Sequence, residues 1–384
     1  MLTNQQPLRA DLHPNKLPTP INVKKLDDYL KGYDGVKRQY LVDGFTKGFC
    51  LEYEGNRGFQ DSPNLKSALE KPDIVLQKIK KEINAGRVVG PFDSLPFENL
   101  KISPLGLVGK KKPNEYRLIH HLSYPDKKVG SVNAGISDSS AFVQYANISD
   151  AITAIKQLGL QSHLCKTDIR SAFRILCVSP QDYELLGFKW ENKYYFDRCL
   201  PVGCRTSCKI FEEFSSALEW IAVNKLGISG MVHVLDDFLI IEASKQEAVV
   251  KFKKFLQMCE EIGVPLSNEK TVLPTQIIDF VGITLDVQKS EARLPVDKIS
   301  KCKNLLFTFL QKDRCTLKDM QSLIGLLNFA CLVVQPGRAF LRRMINLTMG
   351  IPESQKCLFL HRDIKADRGC GLIFCLNTMA YPFS

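Results

Sequence analysis

The chain has 384 residues, 45% of them hydrophobic, enough to bury one large core or two or three smaller ones. Its formal net charge of +11 is uneven: residues 1–130 carry 22 basic and 15 acidic side chains (+7), residues 131–286 carry 15 and 19 (−4), and residues 287–384 carry 15 and 7 (+8). Thirteen cysteines without a C-x-x-C pair, and a start with no apolar core, argue against a disulfide scaffold or an exported chain and predict a reducing, intracellular setting. The longest apolar stretch, Leu323 to Val334, contains Asn328 and is too short to span a bilayer, so no membrane partner is expected. Basic flanks around an acidic centre suit a polyanion held over a metal-binding floor, though ordinary surface lysine gives the same totals.

Residues 1–65 are rich in Pro, Gly and charge and predict a loosely packed arm, with one short helix around Val23–Lys31. From Pro72 the pattern changes: Ile74, Leu76, Ile79 and Ile83 recur at helical spacing up to Gly86. Leu105–Val108 and Tyr116–Leu122 read as two strands around a tip at Pro113-Asn114. Lys110, Lys111 and Lys112 lie near that tip and Arg117 on the return strand. Such a hairpin can close over a triphosphate, lysine as a point charge and arginine as a bidentate donor; a solvated basic turn has the same composition.

Helical spacing returns at Ile148–Leu158, ending at Gly159. The strand Ser162–Ile169 follows and carries Asp168 near its end, with Phe173 five residues on. Gly187–Trp190 and Tyr194–Phe196 predict a hairpin. Leu200-Pro-Val-Gly-Cys204 then predicts a turn into a helix through Phe211, Phe214, Leu218 and Ile221. In Met231–Ile241, β-branched apolar residues flank Asp236-Asp237, which reads as a strand hairpin with two carboxylates at its tip. Ala248–Ile262 is a helix stopped by Gly263, Ile277–Leu285 a strand pair, and Asp297–Asn346 mainly helical.

Ionised side chains are costly to desolvate unless paired or metal-bound. Asp236-Asp237 alone could be a polar surface turn, as Asp27-Asp28 is read. A third carboxylate in similar surroundings, Asp168, favours a different reading. Three convergent carboxylates can hold two Mg2+ ions, the arrangement used for in-line nucleotidyl transfer. Phe173 could pack against the sugar of a bound nucleotide and leave no room for a 2′-hydroxyl; the ordinary alternative is a core phenylalanine.

In this order the motifs resemble those of reverse transcriptases, most closely the tyrosine-recombinase retrotransposons of the DIRS group. The likeness runs from about Pro72 to Leu347. Thr167-Asp-Ile-Arg-Ser-Ala-Phe173 resembles the first catalytic motif, whose aspartate binds metal and whose aromatic is the steric gate. Leu200-Pro-Val-Gly203 resembles the motif that positions template and nucleotide, through Val202 and Gly203, and Leu235-Asp-Asp237 the paired metal-binding aspartates. Lys111 and Arg117 fall where fingers residues meet the triphosphate, and Lys270 where a later motif carries its lysine. Phe280-Val-Gly-Ile283 resembles the primer grip; Leu323-Ile-Gly-Leu-Leu-Asn-Phe329 and Pro336-Gly-Arg338 resemble the thumb or connection. Val234 stands where most relatives have tyrosine or phenylalanine, and His121 where many have aspartate.

The resemblance implies an α+β right-hand polymerase, its antiparallel palm sheet backed by helices. The expected divisions are an N-terminal arm (1–71), fingers with the start of the palm (72–160), palm (161–286), helical thumb or connection (287–350) and a truncated, poorly ordered tail (351–384). The implied activity is RNA-directed DNA polymerisation, adding dNTPs to a primer on an RNA or DNA template. Two Mg2+ ions, with Mn2+ as a substitute, would be held by Asp168, Asp236, Asp237 and the carbonyl of Ile169. No ribonuclease H domain is expected. The rival readings are a decayed copy that binds nucleic acid without polymerising, and a domesticated scaffold for protein partners.

Overall fold

A computed structural model describes residues 16–110, 112–125, 130–334, 337–351, 357–359 and 380–383. In chain order the first half runs α1 (Val23–Tyr29), α2 (Gly35–Lys47), α3 (Lys66–Leu69), α4 (Pro72–Asn84), β1 (Val88–Phe92), β2 (Leu105–Gly109), β3 (Tyr116–His120), α5 (Asp138–Ala141), α6 (Ile148–Leu158), β4 (His163–Asp168), β5 (Gly187–Trp190) and β6 (Lys193–Asp197). The second half begins with α7 (Ser207–Asn224), β7 (Gly230–Val234), β8 (Asp237–Glu242), α8 (Lys245–Ile262), β9 (Val272–Thr275), β10 (Ile277–Phe280), β11 (Ile283–Asp286) and β12 (Glu291–Arg293). It closes with α9 (Val296–Leu310), β13 (Arg314–Cys315), α10 (Leu317–Ala330), α11 (Gly337–Thr348), β14 (Leu358–Phe359) and β15 (Ala380–Pro382). The chain divides into two compact units.

The first unit comprises residues 1–145, 168–227 and 253–269. It holds a three-stranded sheet, β1-β6-β5, and the separate hairpin β2-β3. Ile79 of α4 is buried with Val88, Leu105, Leu107, Phe188 and Trp190, and Ile74, Leu76 and Ile83 are partly buried against them, while Val75, outside the stripe read from the sequence, is also buried there. Among the described residues 16–65, the expectation of a loosely packed N-terminal arm does not hold. Leu26, Leu30, Leu41, Phe45, Phe49 and Leu51 are all buried. A Cβ on Gly44 would lie 2.0 Å from the Phe49 ring, so only glycine lets that ring lie against α2. Phe45 meets Phe49 and Phe214 edge-on, with centroids 5.2 and 4.9 Å apart.

The second unit comprises residues 146–167, 228–252 and 270–384. Its main sheet has the order β7-β8-β4-β9. Strands β7 and β8 are antiparallel, with Val234 opposite Asp237, and β4 and β9 are antiparallel. Helix α6 starts in a capping box between Asn147 and Asp150. It buries Ile148, Ala151, Ile152 and Ile155 in one core with Val232, Leu239 and Ile241. That core continues through Ile278, Phe280, Ile283 and Leu285 of the second sheet, β10-β11-β12-β15. Leu306, Phe309, Leu323, Leu327, Leu341 and Met344 form the core of α9, α10 and α11.

The C-terminal tail departs from expectation where it is described. β15 pairs antiparallel with β12, the Phe383 N–H donates to the Ser290 carbonyl at 2.6 Å, and the Phe383 side chain is buried in the core beneath. β14 pairs with β13 in the same unit. β15 gains order by completing the edge of an existing sheet, and β14 by pairing with β13, which their own weak periodicity does not announce. The expectation of a poorly ordered tail otherwise falls on residues outside the described set.

Candidate functional site

Asp168 is the last residue of β4 and is buried. Its backbone carbonyl accepts from the Ser267 N–H at 2.8 Å, and the Arg170 N–H donates to the Pro265 carbonyl at 2.7 Å. These bonds flank an antiparallel bridge between Ile169 and Leu266. In such a bridge the carbonyl of Ile169 itself points away from the opposing segment. Asp237 is the first residue of β8, which neighbours β4 in the sheet of the second unit. Asp236 sits beside it at the hairpin tip, and both are half-buried. Leu235, at φ 53°, takes the left-handed conformation that the tight turn needs. Among the described residues, no group of three or more His, Cys, Asp or Glu side chains is gathered as a metal site.

Phe173 lies on the 3-10 turn Ala172–Ile175, entered through Ser171 in the left-handed region. Its ring is half-buried and meets Phe211 of α7 edge-on, with centroids 5.4 Å apart. The Leu200–Gly203 turn precedes α7. Val202 is half-buried; Gly203 is exposed at φ 106°, a conformation that side chains other than glycine rarely adopt. The β2-β3 hairpin pairs in register from Leu105↔His120 to Gly109↔Tyr116. Arg117 is exposed on it, and Lys110 pairs with Glu115 at 3.3 Å. Lys111 lies outside the described residues. Lys270 is exposed on a 3-10 turn, Asn268–Lys270.

Two residues that the motif reading missed brace this part of the first unit. Asn133 donates from Nδ2 to the Gly203 carbonyl at 2.8 Å and accepts from the Arg205 N–H at 2.9 Å. Arg174 donates to Glu82 (3.0 Å), Asp197 (2.5 Å) and the Cys199 carbonyl (3.1 Å). Burial lowers the affinity of Arg174 for its proton, but Asp197, Cys199 and Glu82 outweigh it and raise its pKa. Burial pushes the Asp197 carboxyl up; Arg174 and His120 more than offset this and hold it below the ordinary carboxylate range. Glu82 is likewise held low, by Arg87 and Arg174 against its burial. Nothing local in the sequence signals these pairs, since Glu82 and Arg174 are 92 positions apart.

The architecture is that of the right-hand polymerases. A foamy viral protease-reverse transcriptase, solved with double-stranded DNA, superposes with a TM-score of 0.64 at 18% identity, covering 94% of this chain and 62% of that one. The foamy viral protease-reverse transcriptase solved with an RNA/DNA hybrid gives 0.64 at 16% identity, covering 96% and 48%. Residues 108–285 match the family described as "Reverse transcriptase (RNA-dependent DNA polymerase)". The "Enzymatic polyprotein" of Cestrum yellow leaf curling virus is 29% identical over 165 residues, 42% of this chain and 24% of the relative. The "Pro-Pol polyprotein" of feline foamy virus is 27% identical over 164 residues, 42% and 13%. The chain thus spans a quarter or less of the length of these two relatives. Among the described residues no helix is long and apolar enough to cross a membrane.

Proposed function

We propose that the chain is an RNA-directed DNA polymerase that adds deoxynucleotides to a primer on an RNA or DNA template. The observation that carries this is topological. Asp168 closes β4, and Asp236-Asp237 caps the hairpin whose strand β8 is the neighbour of β4 in one sheet, all within the span that matches the family. The similar solved proteins were captured on double-stranded DNA and on an RNA/DNA hybrid, which supports the same class of partner here. Within the family we place the chain nearest the DIRS group, on the likeness of Leu323–Phe329 and Pro336–Arg338 to that group's segments.

Reverse transcriptases depend on divalent metal ions. The donor set fits Mg2+, or Mn2+ in its place: three carboxylates and the Ile169 carbonyl are hard oxygen ligands. Asp168, Asp236, Asp237 and the Ile169 carbonyl would hold the ions. When bound, such ions acidify the primer 3′-hydroxyl and neutralise charge on the triphosphate. The chain's own residues do the rest. Arg117 and Lys111 hold the triphosphate, Phe173 packs on the sugar, Val202 and Gly203 shape the floor under the base, and Lys270 adds positive charge. Intracellular residence is part of the same proposal. The test is primer extension by the purified chain on RNA and DNA templates, with the Asp236→Asn variant as the control.

A further inference from the structure

Phe173 is held from two sides in different ways. Its ring meets Phe211 edge-on and is itself only half-buried. The next residue, Arg174, is tied down far more firmly. Its Nε donates to Glu82 Oε2 at 3.0 Å, its Nη2 to Asp197 Oδ1 at 2.5 Å, and its Nη1 to the Cys199 carbonyl at 3.1 Å. The partners are fixed in turn. Arg87 donates twice to Glu82, at 2.8 and 3.0 Å. His120 sets Nδ1 3.2 Å from Asp197 and Nε2 3.1 Å from the Gly187 carbonyl.

All of these groups belong to the first unit. Every nitrogen of one guanidinium is therefore engaged, each at a different place: near the end of α4, the end of β6, and the segment after β6 that leads into Leu200–Gly203. A lysine could not span three acceptors set in a plane. Arg174 shares a 3-10 turn with Phe173, and successive residues of such a turn project about 120° apart. The backbone that carries Phe173 therefore cannot shift without moving its anchored neighbour, while Phe211 meets the ring itself.

We infer that Arg174 is the positioning residue for sugar selection, fixing Phe173 relative to the Leu200–Gly203 turn through Glu82, Asp197 and the Cys199 carbonyl. This rests on the reading of Phe173 as the gate. Selection by exclusion depends on where the ring edge stands, and a displacement of about 1 Å is enough to cost a large factor. The network then sets nucleotide selectivity without touching the nucleotide.

The test is single-nucleotide incorporation by the full chain, comparing kcat/KM for each dNTP and its ribonucleotide. Arg174→Gln should lower the deoxy-to-ribo ratio about tenfold or more, with Arg174→Lys restoring part of it. The double variant Phe173→Val/Arg174→Gln should be no less selective than Phe173→Val alone. A merely structural role would lower both nucleotides together and leave the ratio unchanged. That result, alongside a relaxed Phe173→Val, overturns the role of Arg174 and leaves the gate standing; additive losses in the double variant overturn it too. An unchanged ratio in Phe173→Val overturns the gate itself, and the inference with it. If Arg174→Gln does not fold, Glu82→Gln removes one partner while Asp197 keeps the charge paired. It should shift the ratio in the same direction by less, and an unchanged ratio there counts against the inference.

Discussion

The carbonyl of Asp168 accepts a 2.8 Å hydrogen bond from the backbone N–H of Ser267. With the bond from Arg170 to Pro265 it fastens the chain on both sides of Ile169 to the segment after α8. The carboxylate at the end of β4 is thus placed by main-chain bonds that no side-chain substitution at 168 removes. Asp168→Asn should accordingly leave Tm within about 4 °C of the wild type while primer extension falls at least about a hundredfold. Thermal unfolding and a gel assay on the same preparation check both halves.

Arg117 stands exposed on β3, and its proposed role is to hold the triphosphate. Arg117→Ala should raise KM for dNTP about tenfold and leave kcat within about twofold, the pattern of a lost contact made equally in ground and transition states. Steady-state kinetics at saturating primer would decide it. A fall in kcat with KM unchanged would give Arg117 a different role.

Phe383 is 2% exposed and packs in the core under β12 and β15. Truncating a buried phenylalanine costs about 3 kcal/mol, so Phe383→Ala should lower the unfolding midpoint in urea clearly. Deleting residues 380–384 should do at least as much. An unchanged midpoint in both would mean that the strand adds nothing to stability.

Asp286 is buried in β11 with Arg293 Nη1 at 2.6 Å and the Lys289 N–H at 3.0 Å. Burial pushes its carboxyl up, but these two donors hold it below the ordinary 3.8. The folded value lies under the unfolded one, so the stabilisation is complete above about pH 3.8 and is lost as pH falls through the depressed value. Arg293→Gln should cost about 2 kcal/mol at pH 7, less than for a fully buried pair because Arg293 is partly exposed. The gap to wild type should close as pH drops below 3.8. Urea titrations at pH 7 and pH 3 measure it.

What could be read in advance was whatever the chain states locally. The hairpin around Asp236 is legible because Met231–Val234 and Phe238–Ile241 are apolar and β-branched on both sides of the tip, and the β2-β3 hairpin for the same reason. Helix α6 announces itself by its spacing and by Gly159. What stayed hidden depends on partners far along the chain. Phe45 and Phe49 are core residues only because Gly44 admits a ring. The tail is ordered at Ala380–Pro382 only because β12 offers an edge. Arg174 reads as one more charge beside a motif until Glu82 and Asp197 are brought to it.

The central claim is that Asp168, Asp236 and Asp237 serve one polymerising centre. It is tested most directly by extension of a labelled primer on an RNA template by the purified chain, with dNTPs and Mg2+, beside Asp236→Asn at equal concentration and equal Tm. The account predicts template-directed extension by the wild type and none by the variant. Extension by both at the same rate, or nucleic-acid binding with no extension by the wild type under Mg2+ or Mn2+, would contradict it.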